Sequence, residues 1–306
     1  MMQHLYEYYQ DPLNDLAAQQ GIEIRASAHY LDFVQGTNIV RISHDHSIYG
    51  EGIVRSFEQY FSAVESQLMK GPYNLVDYST SRYHRVNGFD LMPIYFPSFV
   101  EPMSTTESYL PFARIMPGDT VLDLGAYSGQ TSIIFKELAG PYGRVIAMDA
   151  DPKNITAIRK NFALYSTIRG QDIELIYGAI WNHSQGITFS SENNMGSCAA
   201  EIVGENTGRG QDLKVPSFTL CSLADRIDLR KLDFIKCDVE GAEAHVFENA
   251  EFFQRFRPRI LVETHKIDEV STADRCIRLL SSYGYDCKRV QPHLMAGLPM
   301  IECTPN

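Results

Sequence analysis

The sequence is short of several things. Its 306 residues hold one tryptophan, no C-x-x-C pair among six cysteines, and 27 Lys and Arg against 38 Asp and Glu, for a formal net charge of −11. The deficit of positive charge argues against DNA or RNA as the main partner, because neutralising phosphates needs a basic face. Small molecules and neutral or basic acceptors stay open. The cysteines, at 198, 221, 237, 276, 287 and 303, are even in number, but nothing in the chain looks secreted, so they read as reduced thiols. The opening residues, MMQHLYEYYQDP, have no apolar core of signal-peptide type, and no run approaches the length of a membrane span. Repeats and low-complexity segments are absent too. These absences leave a soluble cytoplasmic chain with neither nucleic acid nor membrane as partner, and with an apolar content of 44%, enough for a sizeable core.

What is present centres on PGDTVLDLGAYSGQT, Pro117 to Thr131. Thr120–Leu124 is an apolar run of buried-strand type, and the spacing from Thr131 to Leu138 is helical. Between them lies a bend, Asp-x-Gly-x-x-x-Gly, formed by Asp123, Gly125, Ala126, Tyr127, Ser128 and Gly129. A strand, a glycine bend and a helix start put backbone N–H groups and a helix dipole before a ligand. The dinucleotide fingerprint is G-x-G-x-x-G, which seats pyrophosphate. Here an acid stands two residues before the first glycine. It would repel pyrophosphate and suit an ammonium or sulfonium cation, which favours S-adenosylmethionine over NAD.

A second strand, RVIAM, ends in Asp149-Ala150, about 20 residues past the bend, where a carboxylate binds a ribose diol. Asp151-Pro152 reads instead as an N-cap with proline at the first helical position. Ile173–Ile180 is a third strand, whose Ala179 and Ile180 are candidate adenine contacts. Ile187–Ser190 and Ala199–Val203 read as a β insertion, with Asn193, Asn194 and Gly196 as a rim over the site. In LDFIKCDVEGAE, a strand ends at Cys237 and Asp238 and Glu240 follow in its loop. In open α/β sheets ligands bind outside the carboxyl ends of the strands, so both acids would face the crevice of Asp123 and Asp149. Glu243 reads as a first-turn acid that offsets the helix dipole. RPRILVETH adds Glu263 and His265 at another strand end. There a histidine could take the proton of an acceptor hydroxyl, and Glu263 could orient it or hold the cofactor's amine. A divalent metal on Asp238, Glu263 and His265 is conceivable but not favoured. His44-Asp45-His46 is weak evidence for a metal site.

These blocks, TVLDLGAYSGQTS, RVIAMDADPKN, VPSFTL, LDFIKCDVEGAE and RPRILVETH, resemble the FkbM-like family of S-adenosylmethionine-dependent methyltransferases. They occur in family order over about half the chain. The resemblance implies a Rossmann-like seven-stranded class I methyltransferase sheet with helices on both faces, and methyl transfer, usually to oxygen. Carried over by position, it implies a cofactor loop of Asp123, Gly125, Tyr127 and Gly129, ribose binding by Asp149, and a crevice edged by Asp238, Glu240 and Glu263; the residues' own placement at the strand ends makes His265, Asp238 and Glu240 the catalytic candidates. Where family members often carry an acidic pair after V-P-x-x-T-L, this chain has Cys221-Ser222.

The chain then divides into an N-terminal α+β extension, 1–112, and a cofactor-binding domain, 113–306. The extension reads as a lid, accessory or acceptor-binding region: a helix over Tyr6–Gln20 interrupted near Pro12, strands at Ile22–Ala28 and Asn38–Ser43, a helix over Ile53–Met69, and dense tyrosine and phenylalanine. The expected acceptor is a hydroxyl on a secondary metabolite or sugar, and a homodimer is compatible with so long an extension. N-methylation, a nicotinamide-dependent oxidoreductase and a non-catalytic cofactor-binding protein are the alternatives.

Overall fold

The structure is a computed structural model that describes residues 12–69, 71–192, 196–203, 210–267, 270–291 and 299–306. Residue contacts divide the chain into two units, Met1–Met103 and Ser104–Asn306.

The first unit is built on a five-stranded sheet in the order Glu23–Ala26, Tyr30–Gln35, Asn38–Ser43, Asn74–Asp77, Gln67–Leu68. Asp32 stands opposite Arg41 across two of these strands and takes both guanidinium hydrogen bonds, at 2.6 and 2.8 Å. A hairpin, Arg82–His84 with Ile94–Phe96, brings His84 and Phe96 to a core with Tyr78 and Phe99. The expected N-terminal helix is described over residues 12–19; Tyr6, Tyr8 and Tyr9 lie outside the described residues. The helix expected over Ile53–Met69 is two short ones, Gly50–Arg55 and Phe57–Ser62, parted at Ser56 (φ −131°, ψ 34°). Beyond Ser62 strand pairing overrides the helical pattern: Val64 bridges Val86, and the Glu65 N–H donates to the Arg85 carbonyl.

The second unit carries a seven-stranded sheet: β1 (Thr120–Leu124), β2 (Arg144–Asp149), β3 (Glu174–Tyr177), β4 (Phe234–Cys237), β5 (Arg259–Glu263), β6 (Tyr285–Val290) and β7 (Met300–Pro305). Its order is β3-β2-β1-β4-β5-β7-β6. β1 to β5 are mutually parallel, and β7 runs antiparallel to both neighbours. Parallel strands covered on both faces read as continuous apolar runs, as β1, β2 and β5 do. Leu122, Leu124, Ile146, Met148, Ile235, Cys237, Ile260 and Val262 point to one face and share a core with Leu220, Phe247, Phe253 and Leu280. On the other face Phe234 meets Phe135 of the helix Gln130–Ala139, ring centroids 5.7 Å apart. Strand order reverses between β1 and β4, and the crevice at such a point is where open α/β sheets bind ligands.

Several segments depart from the pattern in the sequence. The third strand breaks at Gly178 (φ 148°), where a Cβ would meet Phe218 and the Pro216 carbonyl at 2.8 Å; Ala179–Ile180 pairs instead with Ser217–Phe218. The insertion is a small antiparallel sheet, Ile187–Ser191 between Cys198–Ala199 and Gln211–Val215. Ala200–Val203 is helical rather than extended. Of the expected rim, Asn193 and Asn194 lie outside the described residues. After β4 the helix is interrupted, giving Glu243–Val246 and Ala250–Phe256. The reading of six reduced thiols is corrected: Cys287 and Cys303, directly opposed on β6 and β7, form a disulfide. Opposed cysteines on neighbouring antiparallel strands have the Cβ proximity that a bridge needs. Cys198, Cys221, Cys237 and Cys276 take no part in that bridge.

Candidate functional site

The loop after β1 is pinned from two sides. Gly125 (φ 79°) donates its N–H to the Met148 carbonyl, and an added Cβ there would lie 1.7 Å from the Asp238 carbonyl oxygen. Only glycine lets the ends of β1 and β4 approach so closely. Gly129 (φ 80°) caps the following helix, and a Cβ there would meet Phe162 at 2.6 Å. Tyr127 holds a left-handed backbone (φ 51°) without being glycine, and its N–H donates to Asp149 Oδ2 at 2.8 Å. Such outliers persist where the surroundings fix them, often at functional sites.

Asp149 sits at the carboxyl end of β2 and is nearly buried. Besides Tyr127 it accepts from the Asp151 N–H at 2.9 Å and from Asn154 Nδ2 at 3.2 Å. Three donors occupy about three of a carboxylate's four acceptor positions. Burial pushes its pKa up to about 7, against the pull of these N–H bonds. Ala150 is buried beside it. Ala179, half-buried, follows Gly178, whose N–H donates to the Asp149 carbonyl. A carboxylate at the β2 end and a glycine bend at the β1 end suit a nucleoside in donor chemistry, while Ala150 and Ala179 pack against the cluster of Trp181 and Phe189. Ser128 faces inward, accepting from the Gln130 N–H through its hydroxyl and from Asn161 Nδ2 through its carbonyl. Asp151 is the N-cap expected of it, accepting from the Lys153 N–H, and it also ties down the insertion through the Ser191 and Ser197 hydroxyls.

Asp123 is sealed from solvent. It accepts from the Ser132 hydroxyl and lies 3.5 Å from Lys236 Nζ. Burial raises its pKa, the Lys236 charge opposing. Lys236 Nζ in turn donates to the Gly125 carbonyl at 2.8 Å and lies 3.4 Å from Asp238 Oδ2. Asp123 therefore acts on the bend from beneath, through Lys236.

The second half of the site lies at the ends of β4 and β5. His265 Nδ1 donates to Glu243 Oε1 at 2.8 Å, and its Nε2 faces Asp238 Oδ1 at 3.7 Å and Glu240 Oε2 at 3.6 Å. Glu243 is wholly buried and also accepts the Gly241 N–H; Glu263 takes the Tyr109 hydroxyl at 2.7 Å. Asp238, Glu240, Glu263 and His265 are thus gathered in one crevice. Burial by itself would lower the His265 pKa. The Glu243 hydrogen bond and the Glu240 and Asp238 charges outweigh it and push the pKa up to about 10. Burial, with Asp238 and Glu263 adding to it against the His265 charge, lifts Glu240 to about 8; burial and Asp238 lift Glu263 to about 7. The expectation that His265 titrates near neutrality is corrected: its carboxylate neighbours hold it as an imidazolium.

Three contributors were not recognised in the sequence. Lys236 was readable in principle, as a lone cation inside the apolar run FIKC. Glu243 was read as a dipole-offsetting residue but anchors His265. Tyr109, 154 positions from Glu263, gives no sequence signal. His44 and His46 do not form a joint site: His44 Nε2 meets the Ser27 carbonyl, while His46 Nδ1 meets the Ser43 hydroxyl. Ser222, where the resemblance led one to look for an acid, closes a capping box with Thr219. A cleft of about 670 Å³ bordered by Arg114, Lys231, Arg257 and Arg259 opens at the amino ends of the strands, away from this chemistry.

A parallel sheet of order 3-2-1-4-5 with an antiparallel seventh strand inserted beside the fifth, a glycine bend after β1 and an acid ending β2 define the class I methyltransferase fold. Residues 123–287, more than half of the chain, match the methyltransferase FkbM domain, and the chain belongs to that family. Membership sets aside the nicotinamide-dependent reading. An arsenite methyltransferase of Halobacterium salinarum is 42% identical over 52 residues, 17% of this chain; the chain spans only 13% of that relative's length. Among solved structures, an FkbM methyltransferase from Methylobacillus flagellatus gives a TM-score of 0.48 at 14% identity, covering 66% of this chain and 48% of the other. An O-methyltransferase from Bacillus cereus in complex with SAH gives 0.44 at 14% identity, covering 68% and 82%. No described helix is long and apolar enough to cross a membrane.

Proposed function

We propose that this methyltransferase acts on a hydroxyl of a small, hydroxylated acceptor such as a secondary metabolite or sugar. The observation that carries the reading is the convergence of Asp238, Glu240, Glu263 and His265 at the ends of β4 and β5, beside the bend that Gly125 allows. When bound, S-adenosylmethionine supplies a sulfonium methyl already activated for displacement by an acceptor oxygen. The chain's own part is mainly positioning and exclusion of water. The loop Gly125–Gly129 with Ala126, Tyr127 and Ser128 holds the cofactor, Asp149 accepts from one ribose hydroxyl at its remaining acceptor position, and Ala150 and Ala179 border the base. Asp238 and Glu263 face the methionine amine or the acceptor. Glu240 takes the acceptor's proton: its pKa, lifted to about 8, lies where a general base for a hydroxyl is most effective. His265, held as an imidazolium, offers its Nε2–H to the acceptor oxygen or to Glu240.

The test is calorimetric titration with S-adenosylhomocysteine beside NADH, using wild type and Asp149→Ala, followed by transfer of labelled methyl to hydroxylated and amine-bearing acceptors. We expect binding of S-adenosylhomocysteine alone, weakened about 30-fold in the variant by loss of one charged hydrogen bond worth roughly 1.5–3 kcal/mol, and label in the hydroxylated products. Preference for NADH would overturn the cofactor assignment, and label appearing solely on amines would overturn O-methylation.

A further inference from the structure

We propose that the crevice at the ends of β4 and β5 is a binding site for one divalent first-row transition-metal ion, held by Asp238, Glu263 and His265. The ligand atoms these three side chains offer all lie within 4.8 Å of one another. Around an ion with bonds of about 2.0–2.2 Å, adjacent ligand atoms stand about 3 Å apart and opposite ones about 4.3 Å. Nε2 of His265 lies 3.7 Å from Asp238 Oδ1, too long for a hydrogen bond and between the adjacent and opposite spacings of ligands that share an ion.

Two further observations separate this cluster from a chance gathering of acids. Two of the three ligands are oriented from behind by buried groups. His265 gives its Nδ1–H to the wholly buried Glu243, which fixes the ring and turns Nε2 into the crevice; Glu263 is held through Oε2 by the Tyr109 hydroxyl. A carboxylate on the far nitrogen of a histidine is the usual support of a metal-ligating imidazole. The second is that Asp238 Oδ1 is buried yet has no hydrogen-bond partner among the described residues, while Lys236 stands on the other oxygen, Oδ2, at 3.4 Å. Buried carboxylate oxygens are normally satisfied, and a cation facing His265 Nε2 would satisfy this one. The metal takes the place of the proton otherwise on that nitrogen. Mixed carboxylate and imidazole ligation suits manganese, iron or zinc better than magnesium or calcium.

The role in catalysis rests on the methyl-transfer reading: an acceptor oxygen on the ion would lose its proton more readily, the proton passing to Glu240. Binding itself does not depend on that reading. The experiment titrates chelator-treated protein with Mn²⁺ alone, by calorimetry and by paramagnetic resonance of the free ion. S-adenosylhomocysteine binding and thermal melting are measured on the same preparations. We expect one Mn²⁺ per chain. Asp238→Asn and Glu263→Gln should each weaken it about 10-fold or more, and Glu243→Gln about 10-fold through the imidazole. Asp274→Asn, a surface carboxylate paired with Arg289, should leave it unchanged. No stoichiometric Mn²⁺ in protein that melts cooperatively would overturn the proposal, as would unchanged affinity in folded Asp238→Asn and Glu263→Gln. Mn²⁺ binding with no affinity for S-adenosylhomocysteine would leave the metal site standing and remove the methyl-transfer reading; the converse would remove the metal site alone.

Discussion

Replacing Gly125 by alanine tests the central steric claim about the cofactor loop. The new Cβ would lie 1.7 Å from the Asp238 carbonyl oxygen, where real Cβ atoms essentially never come within 3.0 Å, so the ends of β1 and β4 must part by at least the difference, 1.3 Å. A φ of 79° adds roughly 1–2 kcal/mol for any L side chain. The separation also breaks the Asp238 N–H bond to the Leu124 carbonyl and the Lys236 bond to the Gly125 carbonyl, worth about 1 kcal/mol and about 1.5–3 kcal/mol. The whole comes to about 4–6 kcal/mol, a large part of a domain's usual stability. For a unit of this size that corresponds to a fall in Tm on the order of 10–20 °C. Gly118 is the control: it shares the left-handed conformation (φ 88°), but a Cβ there meets nothing within 4 Å. Gly118→Ala should cost only the conformational 1–2 kcal/mol or so and keep S-adenosylhomocysteine binding, whereas Gly125→Ala should lose it. If calorimetric scans gave the two variants the same Tm, the close approach of β1 to β4 would not be what the glycine is for, and the reasoning would fail.

Three other outcomes follow from particular contacts. Lys236→Met strands the sealed Asp123 carboxylate, at a cost of about 3–5 kcal/mol in urea unfolding, and adding Asp123→Asn should recover at least half; a double variant no more stable than the single would refute the pairing. His84 is a base that burial, aided by the Arg82 charge, depresses to about 4 from 6.5, so the unfolded chain takes up a proton that the fold refuses; its contribution is whole above pH 6.5 and lost as pH falls through about 4. His84→Phe should remove about 3 kcal/mol of that acid sensitivity, and an unchanged pH dependence of unfolding would count against it. Thiol titration in denaturant without reductant should find four thiols, rising to six after reduction; six at the outset would return the chain to the all-reduced state expected from its composition.

Local signals in the sequence were enough for much of this. β1, the bend after it and β2 could be placed because a buried parallel strand has to be a short apolar run, and a sharp turn into a helix has to contain glycine. Asp151-Pro152 announced its helix start for the same local reason, and the order of five blocks along the chain pointed to the family. Two of the misread elements are places where long-range pairing overrode local preference. The helix expected through Met69 yields at Ser62 because Val64 and Glu65 pair with Val86 and Arg85. The third strand breaks because Gly178 steers the chain to a different partner.

The site divides along the same line. Sequence by itself determined which carboxylates stand at strand ends, since in a parallel sheet the residue after each apolar run emerges at one edge. It could not decide what they do there, because protonation depends on neighbours that are close only in space. His265 looks like a free base in the linear chain. Folding sets it against Glu243 and before Asp238 and Glu240, and makes it a cation. Asp123 looks like a ligand contact until Lys236, 113 residues later, closes over it beneath the bend. Composition argued for free thiols, and only the register of β6 against β7 brought Cys287 opposite Cys303. Residue type and spacing are local and survive in one dimension; charge balance, burial and register are sums over the fold.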